Sequence, residues 1–411
     1  MTSRAPLRRR RRASVYRGDE LAGTIERTER GSSFRYAPAF VSAHAGERRG
    51  IAYNLRCRVE PYETVGVNLH TFFAGLLPEG LRLAALIRGA KTSSDDLLTL
   101  LMAAGPDTVG DVSVVTEEEA PREAVPTADV AAPELLCFPE LFEQSLRYGS
   151  RGRTEVAVPG VQQKISAAMI AFPVRGRARD KRFILKLNPP DLPRLVENEH
   201  FFMVVASKCG LEVPPTRLIR DREGNVALLV ERFDRIVVHP GKPPIRVHQE
   251  DICQILDRYP ADKYNLGYGD VARAFEICSA PVVEVAKLVR VIAFCYLIGN
   301  GDLHGKNISL RTTPSGRTEM TEAYDLLSTV PYGDRTMALG FEGVDNNIDR
   351  RAFVDFGERF GVRKGATYAI LDELVVRVRP VLSDLGQIGL EGRETRRLES
   401  TMRKRLADVG G

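Results

Sequence analysis

The chain has 411 residues, 43% hydrophobic and 27% charged, with no tryptophan and a formal net charge of +5 at pH 7. That length accommodates two or three subdomains, and the apolar content is ordinary for a globular protein. No stretch approaches the ~20 uninterrupted apolar residues of a membrane span, and no apolar segment follows the run Arg8 to Arg12 as a secretory signal requires. The six cysteines are scattered without a C-x-x-C pair and read as reduced core thiols, which points to a bacterial-type cytoplasm.

Residues 1–12 read as a disordered basic tail, since no basic helix with interleaved aromatics follows to hold nucleic acid. Residues 13–116 form a first unit. It opens with a hairpin over Val15 to Ile25 that turns at Gly18-Asp19, followed by a strand at Phe34 to Tyr36. Helices are predicted at Leu69 to Leu77 and Leu81 to Arg88 around Pro78-Glu79-Gly80. A third runs from Asp95 to Ala104 behind a Ser93-Ser94 cap. Gly105-Pro106-Asp107 stops it, and a strand resumes at Asp111 to Val115. Residues 117–137 are a linker, acidic and rich in alanine and proline.

Residues 138–247 read as a second unit. Glu155 to Ala168 reads as strand, Pro-Gly loop and strand; Arg182 to Leu187 is an apolar strand that Asn188-Pro189-Pro190 breaks. Val196 to Cys209 is a helix stopped by Gly210, and strands follow at Thr216 to Ile219 and Val226 to Phe233. Residues 248–411 read as mostly helical around one polar loop, Gly299-Asn300-Gly301-Asp302-Leu303-His304-Gly305-Lys306-Asn307.

That loop, with Tyr324-Asp325 shortly after it, is similar to the catalytic loop and metal-binding carboxylate of a kinase. In that reading Asp302 orients and deprotonates an acceptor hydroxyl, while Asn307 and Asp325 hold Mg2+ from opposite sides. His304 has the chemistry of a general base, with bracing of the loop as its competing role. Lys306 is placed to neutralise a migrating phosphoryl group. A loop merely rich in turn residues would not collect Asp, His, Lys and Asn around two glycines after an apolar helix.

An ATP site needs further parts, and candidates occur in order. The turn Val158-Pro159-Gly160-Val161-Gln162-Gln163-Lys164 offers backbone N–H groups to phosphates, with Val158, Gly160, Val161, Gln162 and Lys164 as binding candidates. An isolated Pro-Gly is equally an ordinary hairpin turn. Lys186 sits among Ile184, Leu185 and Leu187, where a cation is costly unless it meets an anion or snorkels at an edge. Glu199, three residues after Val196 and four before Met203, lies on the inward helix face as its partner, with Glu197 as the alternative. Glu231 to Phe233 reads as a hinge offering backbone groups to adenine's edge and the Phe233 ring to its face; the plain reading is a strand end.

Taken together the chain resembles the HipA family of bacterial toxin kinases over nearly its whole length. The resemblance rests on Phe72-Phe73-Ala74-Gly75-Leu76-Leu77-Pro78-Glu79-Gly80, Gly160-Val161-Gln162-Gln163-Lys164, Glu197-Asn198-Glu199, Glu231 to Arg235, Gln249-Glu250-Asp251, Gly301 to Asn307 and Tyr324-Asp325. It implies an α+β, protein-kinase-like bilobal fold with an extra N-terminal α/β subdomain and a mostly helical C-terminal lobe. It also implies a serine/threonine protein kinase using ATP and Mg2+ on a protein hydroxyl, on an aminoacyl-tRNA synthetase in some relatives. The implied partner is a small HipB-like DNA-binding antitoxin, through which alone DNA is reached. Ala157 departs from the family pattern, which has an autophosphorylated serine there; self-inactivation is then absent or displaced to Thr154, with Ser166 the nearest hydroxyl downstream. Two other readings compete: a small-molecule phosphotransferase of the aminoglycoside or choline kinase type, and a catalytically silent co-repressor.

Overall fold

The computed structural model describes residues 7–47, 49–66, 68–121, 132–147, 170–175, 182–239, 242–344 and 346–411. The first unit is a five-stranded antiparallel sheet with helices packed on it. β1 (Arg12–Arg17) and β2 (Glu20–Arg27) form the hairpin, turning through Gly18 at φ 58°, a left-handed conformation glycine adopts without strain. Then come β3 (Gly31–Tyr36), α1 (Pro38–His44), β4 (Tyr62–Val65), α2 (Thr71–Gly75), α3 (Gly80–Ala90), α4 (Leu97–Ala104) and β5 (Val112–Thr116), giving the order β4-β3-β2-β1-β5. Phe40, Phe72 and Phe73 are fully buried in its core, each side chain contributing about 1.5–3 kcal/mol of burial.

The structure departs from the sequence reading in this unit at several places. The first predicted helix shrinks to Thr71–Gly75, capped by His70, whose ring accepts from Phe72 N–H at 3.2 Å. Gly80 opens the next helix rather than interrupting a pair. The cap of α4 is Asp96, not the serines: it accepts from Thr99 N–H at 3.3 Å and also pairs with Arg27. The basic tract is not a free tail along its described part. Leu7–Arg9 form a helical turn, Arg10 pairs with Glu118 at 2.6 Å, and Arg12 lies in β1 opposite Glu26.

The second unit holds α5 (Phe138–Arg147), β6 (Ile170–Arg175), β7 (Arg182–Leu187), α6 (Leu195–Lys208), β8 (Thr216–Arg220) and β9 (Val226–Glu231), with sheet order β6-β7-β9-β8. The last strand ends at Glu231, short of the predicted Phe233. A small ribbon, β10 (Arg235–Ile236) with β11 (Ile245–Arg246), leads into the larger lobe.

That lobe contains β12 (His248–Asp251), α7 (Ile252–Ile255), α8 (Tyr268–Ala274), α9 (Pro281–Ile298), β13 (Ser309–Thr312), β14 (Thr318–Met320), α10 (Arg350–Arg359), α11 (Lys364–Val378) and α12 (Gly392–Gly410). α9 is its axis: Val291 to Ile298 are all buried, and α10, α11 and α12 pack around it. The three-stranded antiparallel sheet β12-β13-β14 was not foreseen. Its first strand, His-Gln-Glu-Asp, is buried throughout yet wholly polar, so it carries no apolar alternation to read.

Polar contacts lock this strand to the N-terminal unit. His248 bridges Asp111 and Glu250 at 2.8 Å each, and Glu250 accepts from Tyr53 N–H at 3.0 Å. The architecture is α+β and bilobal, with the N-terminal unit packed across both lobes. Among the described residues no helix is long and apolar enough to cross a membrane, and the six cysteines are free thiols.

Candidate active site

A cavity of about 290 Å³ lies where the three parts meet. The strand lobe contributes Lys186, Glu231 and Phe233, the helical lobe Lys306, Asn307 and Asp325, and the N-terminal unit a wall from Gly75 to Glu79 and another from Asp107 to Val109.

Lys186 projects from β7, the strand between β6 and β9, and is buried. Its Nζ donates to Glu199 Oε1 at 2.7 Å and to Asp325 Oδ1. Burial disfavours the ammonium, but Asp325 and Glu199 outweigh it and hold its pKa above the usual lysine value. Glu199, fully buried on α6, is pushed up to about 7 by desolvation, against the pull of Lys186. Its second oxygen has no hydrogen-bond partner among the described residues. The alternative partner, Glu197, instead meets Arg194 at 2.8 Å and Asn188 at 2.9 Å.

The catalytic-loop candidates follow α9, whose C-terminal cap is Gly299 at φ 75°. Gly301 is required by space: a Cβ there would sit 2.6 Å from the Thr336 carbonyl oxygen. Asn300 Oδ1 accepts from Asp302 N–H at 2.8 Å, fixing the loop's entry. Asn307 Nδ2 donates to the Asp302 carbonyl at 2.8 Å, which joins the two functional positions directly and orients the amide. His304 accepts from Lys306 N–H at 3.2 Å and is buried, with a ring nitrogen 3.9 Å from Asp302 Oδ1, an arrangement that braces the loop.

Lys306 does not stand loose in the cavity. Its Nζ donates to Asp251 Oδ2 at 2.6 Å and to the Gly75 carbonyl at 3.1 Å, so it is a fixed positive charge on the wall. Asp325 adopts φ 56°, rare for a residue with a side chain, and such strain clusters at functional sites. At the other end, the Phe233 ring lies 5.9 Å from that of Tyr324, tilted by 35°. The N–H groups of Glu231 and Arg232 are committed to Pro215 and Arg182 carbonyls, so neither serves a ligand's edge. Val158, Gly160, Val161, Gln162 and Lys164, together with Thr154, Ala157 and Ser166, lie outside the described residues.

Two features went unread in the sequence. The first is a buried charge cluster behind the hinge. Arg232 donates to Asp107 at 2.7 Å and Asp234 at 2.8 Å, Arg235 to Asp234 at 2.6 Å and Asp107 at 3.1 Å. Although burial opposes its charge, Arg232 and Arg235 hold the Asp234 carboxyl well below the usual range. Asp107 looked only like a helix stop, and nothing local announces a partner 125 residues away. The second is Tyr264, whose phenol donates to Asp302 Oδ1 at 2.7 Å.

Comparison with known proteins bears on the family and the fold. A family model described as HipA-like C-terminal domain matches residues 156–382, and one described as HipA N-terminal domain matches residues 13–115. "Putative kinase Y4mE" of Sinorhizobium fredii is 31% identical over 366 residues, covering 82% of this chain and 84% of that protein. The serine/threonine-protein kinase toxin HipA of Shewanella oneidensis is 27% identical over 338 residues, 76% of each chain. Among solved structures, the Shewanella oneidensis MR-1 complex of HipA, HipB and operator DNA contains a chain that superposes with a TM-score of 0.74 at 20% identity. The match covers 97% of this chain and 96% of that one. The fold is therefore the HipA-like kinase fold.

Proposed function

The chain belongs to the HipA family, and from that premise we propose that it is an ATP-dependent serine/threonine protein kinase and the toxin of a toxin–antitoxin pair. Its partner in this reading is a HipB-like DNA-binding antitoxin, such as accompanies the Shewanella chain, and it works in the cytoplasm. One observation carries the catalytic part: Lys186, Asn307 and Asp325, from three separate elements, face one cavity walled at its far end by Glu231 and Phe233.

The donor set fits Mg2+ held with a nucleotide. The Asp325 carboxylate and Asn307 amide oxygen are hard oxygen donors, and Mg2+ takes one or two such ligands beside substrate phosphates. Mg2+–ATP supplies the phosphoryl group and neutralises charge developing in its transfer.

This chain's own groups do the rest. Lys186, fixed between Glu199 and Asp325, holds the phosphates. Lys306 keeps a fixed positive charge beside the path of transfer. Phe233 stacks on the base, Asp302 takes the proton of the acceptor hydroxyl, and His304 braces the loop. Phosphoproteomics after brief induction tests the proposal. New phosphoserine or phosphothreonine sites are expected with the wild type and absent with Asp325→Asn; identical profiles would contradict it.

A further inference from the structure

Asp302 is only 1% exposed and accepts a hydrogen bond from the Tyr264 phenol at 2.7 Å. Tyr264 itself is half-buried. Its ring stands edge-on to His304 at 4.9 Å between centroids, so it covers both polar groups of the loop. A hydroxyl donating to this carboxylate is the interaction an acceptor serine or threonine must make. An acceptor hydroxyl donating to Asp302 Oδ1 would displace the Tyr264 phenol from it.

The segment carrying Tyr264 is tied down on both sides. The Lys263 carbonyl accepts from Gly305 N–H at 3.1 Å, inside the catalytic loop. Lys263 Nζ pairs with Glu79 at 2.9 Å, in the Leu-Leu-Pro-Glu-Gly stretch of the N-terminal unit. Further back, Tyr259 donates to the Leu69 carbonyl at 3.2 Å, and Thr71 bonds Asp257. Gly305 packs closely under this segment: a Cβ there would lie 2.8 Å from Leu266 Cδ1 and would have to displace it. Burial, then the charge of Asp302, pushes the phenol above its usual pKa, so it stays a donor.

We propose that Tyr264 is a gate: its hydroxyl occupies the acceptor's place on Asp302, and the segment 257–266 must swing away, releasing its hold on Glu79, before phosphoryl transfer. The inference rests on the kinase reading of Asp302. It assigns the N-terminal unit a part in the reaction, because that unit holds the gate closed.

The test uses the full chain with Mg2+–ATP and water as the acceptor, reading phosphate release, with ATP affinity by calorimetric titration as a second readout. A hydrogen bond to a charged group lost from the closed state shifts the gate about tenfold towards open. Tyr264→Phe should therefore release phosphate about tenfold faster with ATP affinity unchanged, and Tyr264→Ala at least as fast. Release equal to or below wild type in Tyr264→Phe, with ATP affinity intact and Asp302→Asn inactive, overturns the gate alone. A wild-type rate in Asp302→Asn overturns the kinase reading and the gate with it.

Discussion

The two ends of the candidate site are built differently. At the nucleotide end, Lys186 meets Glu199 and Asp325 on the wall of an open cavity, and the cations are already paired. At the acceptor end Asp302 is buried and capped by Tyr264. A charge that must meet a soluble anion is buried but pre-oriented on the wall of a cavity, whereas a base that must meet one protein hydroxyl is kept covered until that hydroxyl arrives. Water-excluding closure of this kind suppresses wasteful hydrolysis.

The sharpest way to break this contrast is at the nucleotide end. Asp325→Asn removes the carboxylate that would hold Mg2+ on the phosphates, and kinase activity should fall by on the order of 10³-fold, measured by incorporation of labelled phosphate into lysate protein. A smaller but more diagnostic effect is expected for Lys186→Met. It leaves Glu199 and Asp325 without their cation and should cost about 3 kcal/mol in thermal or urea unfolding at pH 8. Because burial already raises Glu199 to about 7, protonation relieves much of that penalty at lower pH. The cost should therefore shrink on acidification, and an equal cost at both ends of the range would refute the buried-carboxylate account.

Next comes the seam between the N-terminal unit and the helical lobe. His248 is buried, which by itself lowers its pKa, but Asp111 outweighs burial with help from Glu250 and against Arg49, and the pKa is raised. A raised folded value means the contribution is fully present below about pH 6.5 and lost as pH rises through the folded pKa. His248→Gln should cost about 1–3 kcal/mol at low pH and flatten the decline of melting temperature with rising pH. The smallest effect is at Glu79→Gln. The pair with Lys263 is partly exposed, so stability should change by under about 1 kcal/mol. Phosphate release should nonetheless rise, though less than for Tyr264→Phe, if this pair latches the gate.

What the sequence revealed follows the same divide. Lys186 announces itself as a cation inside an apolar strand, Glu199 by helical spacing, and Asp302, Asn307 and Asp325 by their tight grouping after an apolar helix. Tyr264 gives no such signal: its partner lies 38 residues on, and tyrosine in a polar loop is unremarkable. The polar strand His248–Asp251 was hidden because its side chains are buried against charges of another unit, not against apolar neighbours. Local pattern exposes groups whose context is local; pairings made by the fold stay silent.

The most direct measurement of the central claim is a calorimetric titration of ATP into the full chain, with and without Mg2+, for wild type and Asp325→Asn. The account predicts tight wild-type binding that weakens at least about tenfold when Mg2+ is withheld, and a variant in which Mg2+ makes no difference. Absence of ATP binding, or the same magnesium dependence in both proteins, would contradict it.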